Sequence, residues 1–325
     1  MTEVDVVGVG NAIVDVITQS DDDFVASQGL EKGSMTLIDD DRAHQLYDLM
    51  PPGVEASGGS AANTMAGIAS FGGTSAYIGK VSGDELGGVF RDDMRQTGVT
   101  FDVPPAEGGP ATARCLILVT PDAQRTMSTY LGVSSLLEPD DINPGTVESG
   151  QLLFCEGYLW DVESAKQAIR RAMDVARSAG RHSALTLSDT FCVERHYDDF
   201  RDLVAGRVDV LFANEAELGA LYKTDSLDAG VAAVAGEVEL ACITRGDQGS
   251  LLVRGTEVVE IAAVEASAVV DTTGAGDQYA AGVLFGLARG LDLAECGRLG
   301  SVAAAEVISH VGPRPLTSLK ELAGF

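Results

Sequence analysis

A doubly wound, mostly parallel α/β sheet, with a small β-sheet inserted in its first half, is the fold this sequence predicts. Two observations carry it. From about residue 150 onward, short apolar runs alternate with longer helical runs, the signature of a parallel sheet covered on both faces. Before that point several strand-like runs follow one another without helices between them, and a doubly wound sheet does not accommodate those.

Taken in order, residues 4–10 read as an apolar first strand, and 14–18 and 34–38 as two more, separated by the polar stretch 19–33. A small-residue helix covers 60–71 and stops at Gly72-Gly73; a strand at 75–81 and a helix at 86–96 follow. Residues 111–119 and 124–131 read as a hairpin around Thr120-Pro121-Asp122-Ala123. Strands at 152–156, 183–187, 210–213 and 240–244 then alternate with helices at 162–179, 193–204, 215–222 and 227–235. A hairpin over 250–261 leads through an apolar β-type run at 261–270 to a helix at 278–289 and a last one at 292–308. The expected organisation is one α/β domain, 1–325, whose insertions at about 14–39 and 100–131 form a flap over the carboxyl edge of the sheet. The alternative is that these strands extend the main sheet.

Composition narrows the function. The 325 residues are 45% hydrophobic, enough for a large core and too many for a disordered chain. With 49 acidic residues against 22 basic, the formal charge is −27, which repels nucleic acid and anionic lipid alike. Neither is expected as a main partner. No apolar run approaches the roughly 18 residues that cross a bilayer. The acidic start, Met1-Thr2-Glu3, lacks a basic n-region, so a cytoplasmic protein is expected. Five cysteines are dispersed without a CxxC pair and read as reduced thiols. The four histidines show no metal-ligand spacing, and structural zinc is not expected.

The most informative stretch is Asp271-Thr272-Thr273-Gly274-Ala275-Gly276-Asp277, where a strand-like run passes into a helix. Gly274 and Gly276 let the backbone approach a ligand, Ala275 adds little bulk, and the first free N–H groups of the helix make an anion site. A carboxylate beside an anion site repels the anion unless it has a task. A general base taking a proton from a hydroxyl, while the amides hold a migrating phosphoryl group, is such a task. The plainer reading is an acidic residue favoured in a first helical turn.

Weaker signals surround it, each with two readings. Gly8-Val9-Gly10-Asn11-Ala12-Ile13 begins like a dinucleotide fingerprint, but Ile13 stands in place of the third glycine and a strand follows where a helix should start. Asp15, just past the first strand, suits a diol or a turn. Gly58-Gly59-Ser60-Ala61-Ala62-Asn63 opens a helix with Ser60 as its expected N-cap, and Asn63 suits sugar hydroxyls or a surface turn. Asn214-Glu215-Ala216-Glu217 reads as a capping box, or as the holder of the water shell of a Mg²⁺–triphosphate. Thr244-Arg245-Gly246-Asp247 suits phosphate contact or a hairpin entry. No GxxxxGK[ST] run occurs, so any bound nucleotide is not held by a P-loop.

In that order, Gly58 to Asn63, Asn214-x-x-Glu217 and Asp271 to Asp277 resemble the ribokinase family of carbohydrate kinases (the phosphofructokinase B group), and the resemblance runs over essentially the whole chain. It implies a ribokinase-like α/β domain with a β-sheet lid. It also implies ATP-dependent phosphorylation of a primary alcohol on a sugar or nucleoside, Mg²⁺, and often a supporting monovalent cation such as K⁺. By that resemblance Asp277 is the base, and the N–H groups of Gly274, Ala275 and Gly276 are the anion hole. Asp15, Asn11 and Asn63 bind substrate, with Gly58 and Gly59 lining the pocket. Asn214 and Glu217 organise Mg²⁺ and phosphate, and Thr244 and Gly246 meet the nucleotide. Backbone at Asp271 and Thr273, with the segment 307–312, holds the monovalent cation.

Gly10 to Asp15, Gln124 to Gly132 and Leu187 to Cys192 look more like adenosine kinases, whereas Ala61-Ala62-Asn63 is nearer the sugar kinases. The expected acceptor is therefore a nucleoside, adenosine first, with Arg125 on the lid reaching the transferred phosphate. A sugar kinase is the alternative within the family. A nucleotide-binding regulator without chemistry and an NAD-linked oxidoreductase are the alternatives outside it. Whether the protein is a monomer or a homodimer is not readable from the sequence.

Overall fold

The computed structural model describes residues 4–122 and 124–324. Met1 to Glu3, the acidic start, and Ala123 of the hairpin turn lie outside the described residues. The strands are β1 (Val4–Val9), β2 (Ile13–Gln19), β3 (Met35–Leu37), β4 (Val54–Gly58), β5 (Ser75–Ile78), β6 (Val99–Thr100), β7 (Ala113–Val119) and β8 (Arg125–Tyr130). They continue with β9 (Gly150–Glu156), β10 (His182–Thr186), β11 (Val210–Asn214), β12 (Leu240–Thr244), β13 (Ser250–Arg254) and β14 (Glu257–Ile261). The helices are α1 (Asp22–Ser27), α2 (Asp40–Leu49), α3 (Ser60–Ser70), α4 (Glu85–Gln96), α5 (Pro144–Ser149), α6 (Glu163–Ser178) and α7 (Thr190–Arg195). After them come α8 (Tyr197–Gly206), α9 (Glu215–Tyr222), α10 (Leu227–Val234), α11 (Ala275–Ala288), α12 (Leu293–Val307) and α13 (Leu319–Ala323).

The main sheet runs β14-β13-β12-β11-β10-β9-β1-β5-β6, parallel from β12 to β6 with an antiparallel hairpin at one edge. Because side chains alternate along a strand, Val7, Val9, Leu153 and Cys155 enter one core with α6 and α8, while Val6, Leu152 and Phe154 enter the other with α3, α4 and α11. This is the doubly wound sheet the alternating runs predicted.

The second, smaller sheet has the order β3-β8-β7-β2-β4. On β2, Val14 and Val16 are buried against the second core, whereas Ile13, Asp15 and Ile17 face the other way. The period of two thus gives this sheet an inner face and a face toward the carboxyl end of the main sheet.

Three local expectations fail. The apolar run at 261–270 is not a strand: β14 ends at Ile261, and the chain must then cross from the sheet edge to the start of α11, leaving Val269 and Val270 exposed. The polar stretch after β2 contains α1, capped by Asp21, and α2 follows, capped by Asp39. Finally, Val54–Gly58, which carried no strand expectation, pairs with β2 in the small sheet.

Candidate active site

Parallel strands direct their ends, and hence their loops, to one edge of the sheet, and a cavity of about 710 Å³ opens there beneath the small sheet. Asp277 lies in the first turn of α11 and lines it. Its Oδ1 accepts from Ser60 Oγ at 2.6 Å and its Oδ2 from Asn63 Nδ2 at 3.1 Å. Desolvation raises this carboxyl, opposed by those two donors and by the charge of Arg314. Ser60 was expected to cap α3. Instead Gly59 occupies the N-cap without a side-chain bond, and the freed hydroxyl turns to Asp277.

The turn before Asp277 is shaped by Gly274, whose φ of 79° and contact with Pro313 leave no room for a side chain. The N–H of Ala275 is taken by the Thr272 carbonyl at 3.2 Å, which removes it from the expected set of three free amides. Among the described residues the N–H groups of Gly274, Gly276 and Asp277 have no acceptor.

Asp15 belongs to β2 in the small sheet, not to the turn after β1. Its carboxylate lines the cavity, and none of the described residues donates to it. Gly58 is required beside it, since a Cβ there would stand 2.5 Å from Asp15 Oδ2. Gly59, at φ 100°, lies so close to the Asn11 carbonyl that a Cβ would approach to 2.2 Å. Burial raises the Asp15 carboxyl to about 6; Arg125 and Arg314 oppose that rise and Asp277 adds to it.

Asn11 is less available than expected. Its backbone N–H and Nδ2 donate to Glu156 Oε1 at 2.7 and 2.8 Å, and its Oδ1 accepts from Ser134. Glu156, at the end of β9, also accepts from the N–H of Ala61, and burial raises it to about 7. Sequence reading passed over Glu156, although an acidic residue closing an otherwise apolar strand is itself a signal of a site at that edge.

Arg125, the first residue of β8, reaches the start of the Gly-rich turn. Its Nη1 binds the Asp271 carboxylate and Thr273 Oγ1, the latter at 2.8 Å. Its Nε and Nη2 are buried without an acceptor among the described residues. Burial would raise Asp271, but donation from Gly312 and Thr273 and the Arg125 charge outweigh it and hold the carboxyl low. The N–H groups of Val270 and Asp271 both meet the Ile308 carbonyl, so 270–273 lies against 308–312.

Asn214 and Glu217 form a reciprocal capping box at the start of α9 and both line the cavity. Burial, with Asp189 adding, raises Glu217 to about 7. Thr244 lines the cavity too, whereas Gly246 lines a neighbouring one of about 640 Å³. The two cavities share Thr244, Thr272, Ala275, Gly276 and Tyr279. The loop 262–270 walls this second cavity with Val264 and Val269. At the opposite edge of the sheet, the surface residues His182, Asp209 and Glu239 come together, with His182 Nδ1 4.0 Å from Asp209 and 3.3 Å from Glu239.

Residues 35–319 match the pfkB family of carbohydrate kinases. An adenosine kinase structure from Sinorhizobium meliloti is 49% identical, with a TM-score of 0.91 and 99% of each chain covered. The structure of a probable sugar kinase from Rhizobium etli is 44% identical, with a TM-score of 0.91, covering 99% of this chain and 98% of that one. An uncharacterized sugar kinase from Archaeoglobus fulgidus is 30% identical over 254 residues, 76% of this chain and 96% of the relative. With a matching fold, a matching stretch that spans most of the sequence and relatives on both the sugar and the nucleoside side, the chain belongs to the pfkB family of carbohydrate kinases and is a phosphotransferase.

Proposed function

We propose that this kinase transfers the γ-phosphoryl group of ATP to the primary hydroxyl of a nucleoside, adenosine first. The observation that carries the reading is Asp15: a largely desolvated carboxylate to which none of the described residues donates, facing the same cavity as Asp277. A vicinal diol supplies the two donors it lacks. Beyond Asp15 the small sheet turns Ile13, Ile117, Met127, Met35 and Leu37 to the cavity. An apolar wall next to a diol site suits a flat base attached to a ribose; a free sugar leaves that wall in water.

In this reading the acceptor CH₂OH lies between Asp277 and the amides of Gly274 and Gly276, the N–H of Asp277 completing the anion hole. Asp277 takes the hydroxyl proton as the oxygen attacks phosphorus in line and ADP leaves. The unpaired Nε and Nη2 of Arg125 are placed to hold phosphoryl oxygens, while its Nη1 stays on Asp271. The small sheet keeps water from the transfer. The nucleotide lies across Thr244 and Gly246, with its base toward the second cavity.

The residues present fit a divalent cation: Glu217 is a buried oxygen donor raised by desolvation, and Asp189 adds negative charge beside it. Mg²⁺, held through water by Glu217 with Asn214 alongside, would supply charge neutralisation on the phosphates. Backbone carbonyls of Asp271 and Thr273 would hold K⁺ beside the segment 308–312.

The test is an ADP-release assay with adenosine, inosine, ribose and fructose as acceptors, run with and without K⁺. Adenosine-dependent release with the highest kcat/KM supports the reading. Preference for ribose or fructose assigns the sugar alternative, and ADP release independent of every acceptor rules out acceptor phosphorylation.

A further inference from the structure

Behind the cavity wall, outside its lining, stands an arginine that no motif singled out. Arg314 is mostly buried, its side chain 15% exposed, and it follows the Gly312-Pro313 turn. The turn is anchored on both sides. Gly312 donates to the Asp271 carboxylate, and Gln278 Nε2 donates to both the Pro313 and Asn63 carbonyls, each at 3.0 Å. Thus the guanidinium enters at a fixed position. Its Nε donates to Asn63 Oδ1 at 3.2 Å, its Nη1 to Asp93 Oδ2 at 3.1 Å, and its Nη2 to the Met94 sulfur. Asp93 Oδ2 in turn accepts from the N–H and Oγ of Ser57, the residue before Gly58-Gly59.

A guanidinium has donors only. Asn63 must therefore turn its oxygen to Arg314, and its NH₂ is left to face Asp277, where it donates to Oδ2. Without Arg314 only the Asp277 carboxylate still favours this orientation, and the amide oxygen loses the donor that holds it in place. The same cation also faces a crowd of acids. Asp277 on α11 is met by Asp15 from β2, Glu156 at the end of β9 and Tyr158 just beyond it; Arg125 from β8 offsets Asp15. Arg314 is a positive charge that acts on both Asp15 and Asp277 from behind the cavity wall.

We propose that Arg314 is a positioning residue for phosphoryl transfer: it fixes the Asn63 amide, and through it the Asp277 carboxylate, aimed at the acceptor hydroxyl. The inference rests on Asp277 being the base.

Arg314→Met, Arg314→Lys and Asp277→Asn in the full chain test it, with kcat and kcat/KM followed across about pH 5 to 9 and folding checked by thermal unfolding. Arg314→Met is expected to lower kcat by about tenfold or more, to leave the KM for ATP within about threefold, and to move the acid limb of the kcat profile to higher pH. Arg314→Lys is expected to return the limb to its place, because the charge is back. It should not return the full kcat, because an ammonium cannot span Asn63 and Asp93 as a planar fork does.

A folded Arg314→Met with an unmoved limb, or with wild-type kcat, overturns the proposal. Should that variant not fold, Arg314→Lys decides: wild-type kcat, or a displaced limb, overturns it as well. An inactive Asp277→Asn beside a wild-type-like Arg314→Met removes only the positioning role. A fully active Asp277→Asn removes the base assignment itself.

Discussion

At one end of the cavity, Asp277, Ser60 and Asn63 are joined to one another and to Arg314 by hydrogen bonds; at the other, none of the described residues donates to Asp15, and Met35 and Leu37 are each 52% exposed. Both ends face the same space. The first is satisfied within the protein, so its geometry exists before any ligand arrives. The second leaves a charge unpaired and apolar surface in water, and a ligand completes it. Substitutions at the satisfied end should therefore change the rate of the chemical step, and those at the open end should change which acceptor is held and how tightly.

The largest effect is expected at Asp277. Asp277→Asn keeps the shape and removes the base, and kcat should fall by about 10²–10⁴ with KM changed little. Steady-state kinetics and direct binding of adenosine check it together. Binding lost along with turnover would mean that the two ends are not separable.

Asp15→Asn comes next. The amide keeps one acceptor and loses the charge, and a hydrogen bond to a charged group contributes roughly 1.5–3 kcal/mol, which is about 10- to 10²-fold in KM. Because Asp15 makes no hydrogen bond to the amide-rich turn and does not touch the attacking oxygen in this reading, kcat should hold within about threefold. A variant that loses kcat and keeps KM would move Asp15 to the chemical end.

pH separates the site from the fold. Asp15 sits at about 6 and Glu156 at about 7, both raised above ordinary carboxyl values by burial. In the folded state each holds its proton more tightly than in the unfolded chain. From the ordinary value of 4.5 for Glu156 up to about 7, the folded protein is therefore the more protonated state, and stability falls as pH rises through that window. For Glu156 the full excursion is on the order of 3 kcal/mol. Below about pH 6, in contrast, a protonated Asp15 loses its charge and turns one oxygen into a donor, so it no longer accepts from both hydroxyls of a diol, and KM should rise by up to tenfold per pH unit. Thermal unfolding and KM measured in the same buffers test this: acidification toward about pH 5 should raise the melting temperature while it weakens acceptor binding. A melting temperature that falls in parallel with affinity contradicts the assignment of acids raised by burial.

How legible these two ends were in the sequence differs for a physical reason. The turn Gly274 to Asp277 stood out because glycine, anion site and carboxylate occupy adjacent positions, and the parallel sheet followed from alternating runs. What was missed arises across long separations. Ser60 meets Asp277 over 217 positions and Arg314 meets Asn63 over 251, so no local pattern announces either pair. Ser60 was misread because its local setting is that of an N-cap, and tertiary structure assigned its hydroxyl elsewhere. The run 261–270 was misread as a strand because its composition is apolar, while its task is to cross from the sheet edge to α11 beside the second cavity. On the small sheet, the alternation of β2 was visible but its partner β4 was not, since Val54–Gly58 is short and made mostly of small residues with low strand propensity.

The smallest effect is expected on the open wall, and it discriminates best between acceptors. Leu37 on β3 is half in solvent and lines the cavity, so only part of its side chain is available to cover a bound base. Full burial of such a side chain contributes about 1.5–3 kcal/mol, and the exposed half therefore about 1 kcal/mol, which is about fivefold in affinity. Leu37→Ser should raise the KM for adenosine by about that factor and leave the KM for ribose, which has no base to cover, unchanged. Because β3 is a three-residue edge strand, the exposed polar replacement should leave folding undisturbed, and thermal unfolding verifies that. Equal increases for both acceptors would mean that β3 closes over the site as a lid without touching a base, and the wall would then no longer favour a nucleoside over a sugar.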